Sequence, residues 1–150
     1  MLKSNRLKIF VTVFLLAMAI LAIYFMFKEP RKIMLINNQT IKVEVVNEAS
    51  TMAKGLSGRN NLCANCGMLF VYPDYQIRNF WMKEMNFPLD IVWIRDETIV
   101  GFAVDVQPFD EQGQISRMAS AEPINLVLEL NSGWIKQNNV KIGDKLKGLD

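Results

Sequence analysis

Two cysteines three positions apart, Cys63-Ala64-Asn65-Cys66, carry the most reactive chemistry in the chain. In an oxidising compartment such a pair can act as a thiol–disulfide centre. That activity needs a stabilised thiolate, which is usually supplied by a helix beginning at the first cysteine. Here Gly67-Met68-Leu69-Phe70 follows, a strand-like run, so the favoured reading is a structural disulfide closing a short loop. On the chain-entropy model such a bond is worth roughly 2 kcal/mol. Redox activity, free thiols and half of a shared metal site are the alternatives. Two sulfurs without a histidine leave a tetrahedral site half empty, so neither a metal nor a cofactor is expected.

A second group offers binding rather than redox chemistry. If Asn79 to Lys83 is extended, Trp81 and Lys83 share one face while Phe80 and Met82 take the other, because side chains alternate along a strand. Trp81, Lys83 and Asp90, with Arg59 and Glu129 brought near by the fold, would combine an aromatic face with charged hydrogen-bonding groups. Such a set suits a sugar or another small polar ligand. The plainer alternative makes Trp81 core, Lys83 a solvated strand residue and Asp90 a turn cap. Asp90 and Glu129 also form the one carboxylate pair considered for glycoside hydrolysis, which requires them about 5 to 10 Å apart. Met68, Met82 and Met85 read as gap-filling core.

Composition narrows the function classes. The 150 residues contain no histidine, which removes the commonest general base and the usual triads. Three of the 17 basic residues, Lys3, Arg6 and Lys8, lie at the start, and all 15 acidic residues lie after residue 28. Residues 28–150 therefore carry 14 basic and 15 acidic groups, a net of −1. Without a basic patch, nucleic acid is not expected as a partner.

The elements that position these residues begin with a membrane segment. Residues 9–27 run without a charge and, as a helix, would span roughly 28 Å. The basic residues before them place segment 1–8 in the cytoplasm by the positive-inside rule. An apolar run this long, ending Tyr-Phe-Met-Phe-Lys, favours an uncleaved signal anchor over a cleaved signal peptide and a secreted product. Residues 28–32 then form a juxtamembrane linker, and residues 33–150 a β-rich exported domain on the extracytoplasmic side.

Within that domain, Ile33–Ile36 and Ile41–Val46 read as strands joined by asparagine-rich turn chemistry. In the second of them Lys42 and Glu44 are expected on the wet face. A short helix is expected from Ser50 or Thr51 to about Ser57, and another from Asn131-Ser132-Gly133 to Asn138. Residues 98–106 form a strand, residues 107–113 a loop. In 124–130, Ile124, Leu126, Leu128 and Leu130 point inward, with Asn125, Val127 and Glu129 outward. Seven or eight short strands with two weak helices predict an α+β, mainly β domain: an antiparallel sheet closed into a roll or small barrel.

Taken in order, Gly55-Leu56, Arg59, Leu62, GMLFVY, FWMK, PLDIVWI, LVLELNSG and Ile142-Gly143-Asp144 make residues 41–147 resemble the domain of unknown function 192 family. The resemblance implies a compact β-rich domain, often exported behind a signal or anchor, with no established activity. Three positions depart from the family pattern. Ser57 stands where Met is usual, Glu84-Met85 where Asn-Thr is common, and Arg95-Asp96-Glu97 forms a hairpin lacking the usual glycine. The function expected is a membrane-anchored binding or accessory module for a small polar ligand, a saccharide among the candidates, or for a cell-envelope partner. An enzyme working through Cys63/Cys66 or through carboxylates is the alternative.

Overall fold

The computed structural model describes residues 2–26 and 31–149, with side chains in the first segment from 9 to 21. The chain divides into two units, residues 1–30 and 31–150. The first holds one helix, α1 (Leu2–Met26), whose side chains from Ile9 to Leu21 are exposed and, apart from Thr12, apolar. Among the described residues no helix is long and apolar enough to cross a membrane. The anchor expected over 9–27 runs beyond the described side chains, as does most of the 28–32 linker. Arg31 and Lys32 belong instead to the first strand of the next unit.

That unit is built on strands β1 (Arg31–Ile36), β2 (Gln39–Val46), β3 (Cys66–Gln76), β4 (Asn79–Trp81), β5 (Leu89–Arg95), β6 (Thr98–Val106), β7 (Arg117–Ala119) and β8 (Ile124–Asn131). Helices α2 (Ala49–Lys54) and α3 (Trp134–Gln137) are short, near the positions the sequence suggests. Six strands form one sheet in the order β1-β2-β3-β8-β5-β6, and β4 pairs with β7 apart from it.

The mainly β expectation holds, but the closed antiparallel barrel or roll does not. The sheet is open and mixed. The chain leaves β2, crosses through α2 and the cysteine loop, and re-enters as β3 parallel to β2, since a crossover of that length returns it to the same end. The edge strands β1 and β6 do not pair with each other. Segment 144–147 bonds to both instead: Leu35 and Lys147 exchange two backbone hydrogen bonds of 3.0 Å, and the Ile99 amide of β6 donates to the Asp144 carbonyl at 2.9 Å.

Local chemistry explains the turns. Asn37 and Asn38 both sit at positive φ, 51° and 64°, the two-residue geometry that matches strand twist and that asparagine tolerates. Asp96 at φ 57° serves the β5–β6 hairpin in place of the missing glycine. Asp90 is fully buried, and its carboxylate accepts the amides of Asp105 and Ile135, each at 2.9 Å, fastening β6 and the start of α3 to β5.

Both faces of the sheet are covered. One face buries Met34, Ile41, Leu69, Val92, Leu126 and Leu128 against Trp134 and Leu146. The other buries Met68, Phe70, Ile91, Trp93 and Val127 against Leu56, Met82 and Met85. β8 lies between β3 and β5 with neighbours on both edges, so Val127 and Glu129 are buried rather than outward-facing. A strand covered on both faces loses the in–out alternation. Glu44 is likewise buried, not wet.

Glu84 occupies the left-handed region at φ 58°, where a side chain with a Cβ is disfavoured and asparagine is the usual non-glycine occupant. Its carboxylate lies 3.9 Å from the Lys83 ammonium, an exposed pair that contributes little. Glu84→Asn is therefore expected to raise stability by about 0.5–1 kcal/mol. A denaturation midpoint that falls in the variant refutes the assignment of strain to this residue.

Candidate functional site

Strand register places one row of side chains across the second face: Glu44 on β2 opposite Met68 on β3, Met68 opposite Glu129 on β8, and Glu129 opposite Ile91 on β5. Two carboxylates thus stand two strands apart, roughly 10 Å at the usual inter-strand spacing. Gly67 permits the close approach of β3 to β8, since a Cβ there would meet the Glu129 carbonyl oxygen at 2.8 Å.

The two carboxylates have opposite fates. Glu44 is gripped by Arg59, whose Nη1 and Nη2 donate to its two oxygens at 2.9 and 2.6 Å, and by Arg31 at 3.1 Å. Hydrogen bonding from Arg59, with the charges of both arginines, holds the Glu44 carboxyl below the usual range despite its burial. Glu129 is 6% exposed, and its Oε2 has no hydrogen-bond partner. Burial pushes its carboxyl up to about 8, against the opposing charge of Arg59.

Glu129 opens into a cavity of about 250 Å³. The C-terminal end of α2 and the turn after it, Met52 to Ser57, form one wall, with Phe70 and Tyr72 of β3 and Asn79, Phe80 and Trp81 of β4 forming others. Phe80 meets Phe70 edge-on at a centroid distance of 5.2 Å and sets the ring wall. Trp81 is 51% exposed and also borders a second cavity of about 530 Å³ with Arg117, whose guanidinium lies 5.5 Å from the indole ring centre. Burial raises the Tyr72 hydroxyl, and the Arg78 guanidinium stacked 3.8 Å over its ring opposes that shift.

Of the candidate residues, Trp81 and Glu129 meet at this cavity, and Arg59 lies behind it, its guanidinium committed to Glu44. Phe80 and Met82 point to the core and Trp81 and Lys83 away from it, as the alternation requires. Lys83 is exposed and outside the cavity lining; its carbonyl accepts the Ser57 hydroxyl. Asp90 packs on the other side of β5, the side facing α3, so Asp90 and Glu129 lie on opposite faces and cannot flank one glycosidic bond. Glu44, Tyr72 and Asn79 had no separate signal; only the Arg59-to-Glu44 pairing would have shown that Glu44 is interior.

The cysteine sulfurs lie at disulfide distance, with Cα atoms 5.1 Å apart. Cys63 is exposed, Cys66 opens β3 and is buried, and no helix begins at either. Arg31 Nη1 reaches Cys66 Sγ at 3.4 Å, so one arginine touches both the cysteine pair and Glu44.

This sheet and its insertions define a known class. A family model, domain of unknown function 192 (uncharacterised ACR), matches residues 32–148, and the chain belongs to that family. Among solved structures, a proposed transcription regulator from Sinorhizobium meliloti 1021 is similar at 31% identity and TM-score 0.71, over 79% of this chain and 93% of that one. A protein of unknown function from Novosphingobium aromaticivorans DSM 12444 is similar at 25% identity and TM-score 0.71, over 78% and 84% of the two chains. No curated protein matches.

A carboxyl raised by burial binds its proton more tightly in the folded state than in the unfolded chain. Stability from this group is therefore present at low pH and is lost as pH rises from about 4.5 through about 8. The loss amounts to roughly 3–5 kcal/mol at full ionisation. Glu129→Gln removes it, so the stability of the variant relative to wild type should climb between pH 5 and pH 9. Parallel pH–stability curves for the two proteins, from urea denaturation, contradict this account.

Proposed function

We propose that residues 31–149 are a non-enzymatic binding module for a small polar ligand, a saccharide being the leading class, held on the extracytoplasmic side of a membrane by the apolar N-terminal segment. The observation that carries the reading is the unpartnered, buried Glu129 oxygen at a cavity whose rim is the half-exposed Trp81. A buried polar atom without a partner costs about 1–3 kcal/mol, which a ligand donor recovers. A rim tryptophan adds a flat face on which a pyranose ring stacks. Support for the anchor comes from the uncharged run 9–27 and from the apolar exposure of α1.

Catalysis finds less support. Asp90 spends both oxygens on backbone amides, and Glu44, in the same row as Glu129, is held by Arg31 and Arg59, so neither is free to serve as the second carboxylate that hydrolysis requires. A nucleic-acid role, as the Sinorhizobium protein's description would suggest, lacks its basic footprint, since residues 28–150 carry a net of −1. One observation favours a thiol–disulfide activity as the second reading: Cys63 is exposed, and the Arg31 guanidinium 3.4 Å from Cys66 would stabilise a thiolate.

Thermal-shift screening of the protein against mono- and oligosaccharides tests the first reading, because a ligand of the folded state raises the melting temperature by mass action. For a ligand so found, Trp81→Ala should weaken binding at least ~10-fold, about 1.4 kcal/mol. The melting temperature of the free protein should hardly move, because half of the ring is already in solvent. Unchanged affinity in the variant, measured by isothermal titration, removes Trp81 from the site, and failure of every saccharide to bind removes the class.

A further inference from the structure

Resting on the binding reading above, we infer that the ligand of the Glu129 cavity carries an ammonium group, and that Glu129 is its counter-ion. Three observations converge on this chemistry. The first is the acceptor itself: Glu129 Oε2 is buried and unpartnered at the cavity, while the cation behind it, Arg59, commits both terminal nitrogens to Glu44. The second is the wall. Phe70, Tyr72, Phe80 and Trp81 line the same cavity as Glu129, and aromatic faces attract cations in a desolvated site. The third is the end of α2 that lines the cavity. It is the carboxyl end, Met52 to Lys54, where the peptide dipoles present partial negative charge.

A hydroxyl donor would satisfy the hydrogen bond but not the charge. Moving the carboxylate into this site is costly because nothing inside pairs with it, and an ammonium supplies both the donor and the balancing charge. An anionic ligand would meet repulsion as soon as Glu129 ionised. The cations around the cavity do not fill the role. Lys54 on α2 is exposed to solvent, Arg117 on β7 lies 5.5 Å from the ring centre of Trp81, and Arg78 stacks on Tyr72. A volume of about 250 Å³ is at the small end of ligand cavities and suits a compact amine or an amino sugar.

The pH dependence distinguishes this from neutral binding. Burial pushes the Glu129 carboxyl up to about 8, so an amine that stays protonated through this range binds with release of one proton below that pH. Its affinity should rise close to tenfold from pH 6 to pH 7 and level off above pH 8. A neutral ligand that hydrogen-bonds the protonated carboxyl would weaken over the same range.

The experiment is isothermal titration of the protein with two matched pairs: ethanolamine against its uncharged carbon isostere propan-1-ol, and glucosamine against glucose. At pH 7 at least one amine is expected to bind ten times more tightly than its neutral counterpart. In two buffers of different ionisation enthalpy at pH 6.5, it should release close to one proton. Glu129→Gln, which keeps the volume, should abolish both the preference and the release. The proton count on wild-type protein needs no variant and stands if that one fails to fold. Equal binding within each pair, an amine preference that survives in Glu129→Gln, or no binding by either amine overturns the inference. Glucose binding without amine preference leaves the polar-ligand reading standing, whereas failure of all four probes together with the saccharide screen brings down both.

Discussion

Strand β8 is bonded along both edges and covered on both faces, so a charged residue in its middle has no water to turn to. Glu129 stands there, and much around it reads as a response. Arg59 lies near enough to stabilise the charge but is tied to Glu44; Gly67 lets the neighbouring strand come close; the side chains on the outer side are aromatic. A buried, unpaired acid is a standing cost to a fold of ordinary stability, which is about 5–15 kcal/mol. Selection for stability alone would replace it with an apolar residue of the same volume. Its presence in a strand covered on both faces is what points to this face as the candidate site.

The arginines set the charge state of two carboxyls on two strands of one row. Arg31 and Arg59 converge on Glu44, so that carboxylate is ionised and rigid, and it fixes where the guanidinium of Arg59 stands. Two strands away the same guanidinium acts only through its field. Two carboxyls of identical chemistry are thereby driven in opposite directions, one down by direct hydrogen bonds and the other up by burial. The contact between Arg31 and Cys66 adds the cysteine loop to this group, so the start of β3, the edge strand β1 and the interior carboxylate are held by one side chain.

Much of the domain was legible in its residues. Strands β1, β2 and β6, the two short helices and the 107–113 loop follow from local patterns, and the Trp81/Phe80 alternation holds because period two is a geometric necessity. What local pattern does not carry is which strand lies in the middle. Alternation in 124–130 assigns Glu129 to solvent, and only the neighbours β3 and β5, distant in sequence, reverse that. The same holds for Glu44, whose burial depends on Arg59 from the crossover loop. Asp90, nine residues beyond Trp81, is separated from Trp81 and Lys83 only by the face of β5 on which it falls. The parallel β2–β3 pair was likewise hidden, because a short, weakly patterned helix gives little notice of a crossover.

The segment from Asp144 to Lys147 touches both edges of the open sheet, bonding to Leu35 on one side and next to Thr98 on the other. Unpaired edges recruit other chains, and this stretch occupies part of each at once. Its two contacts differ sharply in reach. The one to β6 closes a modest loop, whereas the one to β1 joins residues separated by almost the entire domain, a closure whose entropic cost is met only after the rest of the sheet exists. A chain in which this segment is detached leaves both borders of the sheet open together, where they can pair with a neighbouring chain.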